Sequence, residues 1–244
     1  MEKKIYFPIN PQPDDTTCGP TCLHAIYEYY KDSITLDQVI QEIPQFKEGG
    51  TLSVLLGIHA LRRGYKATLY NYNLQVFDPT WFLLSQQELG ERLEAQLPYR
   101  TDPKLRYSIQ CHKEFIDLGG TILFEDLNHK LIREILKKDI PILTGLSATY
   151  LYRSAREYGP KSDYDDLRGV PAGHFVVLCG YNKETRLIQV ADPLYPNPLT
   201  EHHHYVVSQD RLICSILLGI LTYDANLLFI QPKGRPHESS PVCR

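Results

Sequence analysis

The chain has almost no net charge to offer a polyanion. Its 26 Lys and Arg against 29 Asp and Glu leave a formal −3, so neither a nucleic-acid footprint nor a patch for a membrane surface is expected. Long apolar runs are also missing. The longest, Leu212 to Leu221, is too short to span a bilayer. The first residues, Met-Glu-Lys-Lys-Ile-Tyr-Phe-Pro, lack the continuous apolar core of a secretory signal. A cytoplasmic location follows as the expectation, and the six cysteines then read as reduced thiols rather than a disulfide framework. There is no internal repeat. Neither Gly49-Gly50 nor Gly119-Gly120 stands in the strand, Gly-rich loop and helix context of a phosphate cradle. No cofactor is expected.

What the chain does have begins near its N-terminus. Gln12 stands six residues before Cys18, and Cys18-Gly19-Pro20-Thr21-Cys22 runs straight into Leu23-His24-Ala25-Ile26-Tyr27. That pattern starts a helix at Cys18, with Thr16 or Thr17 as a cap and Pro20 tolerated in the first turn, where its missing N–H has no partner. A thiolate at such a place is stabilised by the positive end of the helix dipole and by unpaired backbone N–H groups. The Cys18 N–H and the Gln12 carboxamide can converge on the oxygen of an attacked carbonyl as an oxyanion hole.

A base is found in the second half. Gly173-His174-Phe175-Val176-Val177-Leu178-Cys179-Gly180-Tyr181 reads as a buried strand with its histidine at the mouth, and Arg186 to Pro193 as the hairpin partner. If the two strands pair antiparallel, His174 and Asp192 lie at the same outer end. The carboxylate can then hold one imidazole nitrogen and fix the tautomer facing the thiol. Pro193 ends the strand directly after Asp192.

These residues give the chain a resemblance to the papain-like cysteine peptidases, and within them to the double-glycine leader peptidases of bacteriocin exporters and their stand-alone bacterial relatives. It rests on the Gln-x5-Cys-Gly segment, the Gly-His-Phe-Val-Val strand and the strand ending Asp-Pro, over residues 8–30 and 170–195. It implies nucleophile Cys18, base His174, orienting Asp192 and oxyanion donor Gln12. Apart from the resemblance, Gly19 and Gly173 beside those residues, and Asp165 and Asp166 in the acidic loop before the histidine strand, are expected as substrate contacts. The fold expected is α+β: a helical N-terminal part, nucleophile helix included, packed on a C-terminal antiparallel sheet. Residues 65–130 stand out from the compact leader peptidases as an accessory insertion in a single catalytic body spanning 1–231. Residues 232–244 read as a disordered tail.

Between these anchors the pattern predicts helices over 35–43 (opened by a Thr35-x-x-Gln38 capping box), 52–63, 80–97, 103–118, 128–138 and 208–220. Strands are expected over 66–73, 121–125, 140–152 and 226–231, and a loop over 153–172. Cys22, Cys111, Cys179 and Cys214 read as core and Cys243 as an exposed tail thiol. Three consecutive histidines, His202 to His204, cannot all face one ion from a strand, and no Cys or Asp pair stands nearby, so they read as a solvated loop rather than a metal site.

The chemistry these positions suit is hydrolysis of a peptide or isopeptide bond through a thioester. The partner is a peptide or protein substrate. Two other readings use the same residues: an acyltransferase of the phytochelatin-synthase type, and a peptide-binding module without catalysis.

Overall fold

The computed structural model describes residues 2–46 and 49–234, so most of the expected tail, with Cys243, lies outside the described residues. In chain order the elements are β1 (Glu2–Lys4), α1 (Cys18–Tyr29), α2 (Leu36–Glu42), α3 (Ser53–Arg62), β2 (Tyr65–Asn71), α4 (Gln86–Ala95), α5 (Pro103–Asp117), β3 (Thr121–Leu123) and α6 (His129–Leu136). Then follow β4 (Ile142–Ser147), α7 (Ala148–Tyr152), β5 (Glu157–Tyr158), β6 (Asp163–Tyr164), β7 (Gly173–Asn182), β8 (Leu187–Ala191), β9 (His204–Ser208), α8 (Gln209–Leu218) and β10 (Asn226–Pro232). Helices dominate the first half and strands the second, as the α+β expectation requires.

The sheet runs β3-β2-β10-β4-β7-β8-β9, with β1 added beside the far end of β7. Only β2 and β3 are parallel. β7 lies at the centre because Phe175 to Tyr181 are buried without a break, which is how a strand covered on both faces reads. The α1 helix packs on β7 and β4, and α3 on β2 and β10. Every residue of α1 from Cys18 to Tyr27 is buried, so this helix is a central rod between sheet and outer helices rather than an amphipathic surface element. Burial of its Leu23, Ile26 and Tyr27 contributes about 1.5–3 kcal/mol each. Its N-terminal end is therefore set by the core itself.

Some expected elements are divided by local polar chemistry. The strand expected over 140–152 stops at Ser147, whose hydroxyl accepts the Tyr150 N–H and caps α7. The helix expected over 80–97 becomes a 3-10 turn over Pro79–Leu83 and then α4, because the Ser85–Glu88 capping box restarts it. The 153–172 loop carries a small hairpin, β5 with β6. Within 65–130, β2 is an inner strand of the main sheet, and α4 and α5 form an outer layer against α3. Gly57 permits that crossing, since a Cβ there would lie 2.6 Å from Cε2 of Phe115.

Candidate active site

Cys18 is the first residue of α1, and no side chain caps that helix. Thr17 occupies the cap position, but its hydroxyl is turned to the Asp14 carbonyl at 3.1 Å. With Pro20 lacking an N–H, the amides of the first turn stay open to an incoming oxygen. Cys18 is nearly buried, only 8% of the residue being exposed.

His174 heads β7. Its Nε2 donates to Asp192 Oδ1 at 2.8 Å, which leaves Nδ1 for another partner, and Cys18 stands close enough to favour the charged ring. The pairing of β7 with β8 has one irregularity. Asn182, Tyr181 and Gly180 face Leu187, Ile188 and Gln189, and beyond Cys179 the register shifts so that Leu178 faces Val190 and Val177 faces Ala191. One step further, Asp192 falls opposite Val176, on the same side of the ladder as His174. An unbroken ladder would have set Asp192 opposite Val177 and turned it away.

Asp192 is completely buried, with no exposed surface. Oδ1 also accepts the Leu194 N–H at 2.9 Å, while Oδ2 accepts the Tyr152 hydroxyl at 2.7 Å and the Tyr205 hydroxyl at 2.6 Å. Burial alone would raise this carboxyl, but His174 and the two tyrosines hold it below its ordinary value. In turn, burial works against an imidazolium, yet the Asp192 charge and hydrogen bond, helped by Cys18, push His174 up to about 10. The arrangement holds positive charge beside the sulfur and negative charge behind it.

The two tyrosines escape sequence reasoning because each comes from an element other than the motif strands: Tyr152 ends α7, and Tyr205 lies on β9. Register was the available signal, since Tyr205 faces Val190, two residues before Asp192. The histidine run also differs from a solvated loop. His203 Nδ1 contacts the Asp192 carbonyl at 2.7 Å and accepts the Asp192 N–H on its own carbonyl at 2.8 Å, and His204 Nε2 contacts the Phe7 carbonyl at 2.9 Å. These residues brace the backbone around the carboxylate. Among the described residues no group of three or more His, Cys, Asp or Glu is gathered to hold a metal.

Gln12 is tied at both ends. Its backbone N–H donates to the Pro193 carbonyl, and its Nε2 donates to the Asp14 carbonyl, each at 2.9 Å. The same Asp14 carbonyl receives Thr17, so the carboxamide is lashed to the turn just before Cys18. Its Oε1 is buried without a partner among the described residues. Gly19 is buried: a Cβ there would lie 3.0 Å from Thr51 Cγ2 and 3.1 Å from Phe175 Cδ2, so its small size serves packing rather than an open substrate surface. Gly173 is exposed at the rim beside His174. Asp165 spends its carboxylate on its own turn, accepting the N–H groups of Leu167 and Arg168 and the Arg168 Nε. Asp166 is exposed, with its carbonyl held by Arg156.

Of the other thiols, Cys22 lies one turn along α1, fully buried, its Sγ 3.3 Å from the Phe175 carbonyl. Burial and then the neighbouring Cys18 push it well above a normal thiol. Burial likewise pushes Cys111 up to about 11 and Cys179 to about 12. Cys214 corrects the sequence expectation: it is exposed on α8. His112 is buried against Ser108 and Asn71, and His59 against Tyr27 and Glu42, both far from this chemistry in role. No helix among the described residues is long and apolar enough to cross a membrane.

Among solved structures the chain is similar to a C39-like peptidase from Bacillus anthracis (13% identity, 96% of this chain and 99% of that one, TM-score 0.46). It is similar also to a double-glycine-motif protease from an AMS/PCAT transporter, crystallised with its leader peptide (13%, 95% and 95%, 0.45). A third is the peptidase domain of Streptococcus ComA, a bifunctional ABC transporter of a quorum-sensing pathway (13%, 93% and 100%, 0.43). No curated protein matches the chain. A sequence model of the Peptidase C39-like family, however, matches residues 4–210. That single match takes in the start of α1, the histidine strand and the Asp-Pro end of its partner, and by it the chain belongs to the Peptidase C39-like family and is a cysteine-type peptidase.

Proposed function

We propose that Cys18 is the nucleophile, His174 its base, Asp192 the group that orients the base, and Gln12 a donor to the oxyanion. The observation that carries this is the imidazole of His174, held on Nε2 by a fully buried carboxylate and close to a thiol at an uncapped helix start. The imidazolium and thiolate form an ion pair, and the sulfur attacks a peptide carbonyl. The Cys18 N–H and the free N–H of the Gln12 carboxamide receive the oxygen, each such donor contributing about 3 kcal/mol to the transition state. Nδ1 of His174 then protonates the leaving amine. Water, deprotonated by the same nitrogen, attacks the thioester carbonyl, and the acid leaves as the sulfur recovers its charge.

The substrate is a peptide or protein chain, a reading supported by membership of a peptidase family. Mapping of the folded protein after brief exposure to iodoacetamide is expected to find Cys18 modified ahead of every buried thiol, with Cys214 as the exposed control. A peptide library then reads the cleavage, and Cys18→Ala abolishes it. Cys18 left unmodified while Cys214 reacts fully would remove it as nucleophile.

A further inference from the structure

On the other side of the His174 rim from Asp192 lies a second buried carboxylate. Asp224 stands two residues before β10, whose Asn226 faces Gly145 of β4, and Gly145 in turn faces Phe175 of β7. Three glycines make room for it. A Cβ on Gly145 would lie 2.5 Å from Oδ1, one on Gly173 would lie 2.7 Å from Oδ2, and one on Gly219 would lie 3.1 Å from the Asp224 Cβ. The residues on either side, Tyr223 and Ala225, both hold left-handed backbone, with φ of 66° and 67°. Neither is a glycine, so the surrounding structure enforces a conformation that L side chains resist, a kind of strain that gathers at functional sites. Thr222 Oγ1 is 2.9 Å from Oδ2, and no donor among the described residues reaches Oδ1.

This carboxylate is 5% exposed, yet it lies directly beneath Gly173, which is open to solvent and adjoins the catalytic histidine. A peptide lying across Gly173 with its carbonyl at Cys18 passes over it. The surroundings already accept a cation: the Lys104 ammonium, reaching in from α5, lies 4.7 Å from the Tyr223 ring and 4.7 Å from the Phe46 ring.

Deepening the reading that Cys18 and His174 cleave a peptide, and resting on it, we propose that Asp224 is a specificity-determining residue that receives a Lys or Arg side chain of the substrate next to the scissile bond. The missing Cβ at 173 lets the carboxylate itself come up against the rim backbone, where a Cβ would lie 2.7 Å from both Oδ2 and Thr222 Oγ1. Burial pushes the Asp224 carboxyl up to about 7, with Thr222, Lys104 and His174 pulling it back. The ionised form binds the cation, so preference for a basic residue grows as pH rises through that value.

The test uses two thiol-reactive peptide inactivators that differ only in carrying Lys or norleucine beside the reactive carbon, at each flanking position in turn. Their ratio of inactivation rates cancels the ionisation of Cys18 and His174, which both reagents share. At one position Lys is expected to win by about tenfold or more, the scale of a charge-assisted contact. Asp224→Asn should bring the ratio to unity, and Lys104→Met, which leaves the carboxylate and removes a competing cation, should raise it. Equal rates for both reagents at every position, or a Lys preference untouched by Asp224→Asn, overturns the proposal. Iodoacetamide separates the two levels: if it labels Cys18 while Lys has no advantage, this assignment alone fails, and if Cys18 is never labelled, both fail.

Discussion

The tyrosine clamp on Asp192 makes a quantitative demand. Tyr152→Phe and Tyr205→Phe each delete one of two hydroxyls donating to Oδ2, at 2.7 and 2.6 Å, and change nothing else in shape. A hydrogen bond to a charged group contributes about 1.5–3 kcal/mol, and the buried oxygen has no water to replace it. Each variant should lose about 2 kcal/mol of stability, a fall in Tm of about 4–8 °C for a chain of this size. The loss has a pH signature. Asp192 is held below its ordinary value, so its stabilising contribution is present above that ordinary value and lost as pH falls through the folded one. Removing a hydroxyl takes away one of the bonds that lower it, so the folded value rises. The variant and the parent therefore differ most near neutrality and converge in acid. Activity follows the same group: the acid limb of the rate of Cys18 alkylation should move up with it, while the alkaline limb stays. A purely structural tyrosine would lower Tm and leave that limb where it was. An unmoved acid limb in both variants refutes the claim that these hydroxyls hold the carboxylate ionised.

The alkaline side tests the other partner. His174 is pushed up to about 10, so the stability gained by charging it is complete below its unfolded value of about 6.5 and is lost as pH rises to the folded one. The Tm of the parent should decline across that window relative to His174→Gln, and parallel curves would contradict it. Gly19→Ala should destabilise by about 1–3 kcal/mol through overpacking against Thr51 and Phe175. A raised KM with unchanged Tm would show instead that Gly19 touches substrate.

The start of α1 was legible to the residue, because a cysteine followed by Gly and Pro before an apolar run leaves few other ways to begin a helix. The capping boxes at Thr35 and Ser85 both form, and the second, set inside an otherwise helical period, breaks it between Pro79–Leu83 and α4. Ser147 ended β4 early for the same reason: a single hydroxyl with a backbone N–H in reach outweighs β-propensity. Asp224 and the two tyrosines left no mark in the sequence, since each reaches the site across strands far away in the chain. Cys214 misled because periodicity places a residue on a helix face without saying where the face ends.

The extra residue at Cys179 has a consequence for how this hairpin can vary. Which side of a strand a residue occupies depends on parity alone, so His174 and Asp192 stay together only if length changes between the rim and the bulge come in pairs. The turn over 183–186 lies outside that constraint and can lengthen or shorten freely. Loss of the bulge by itself, one residue out of 244, would leave the sheet and the α1 helix in place and still put Asp192 on the far side of the sheet from His174. The site is thus encoded as much by an odd number as by any functional group.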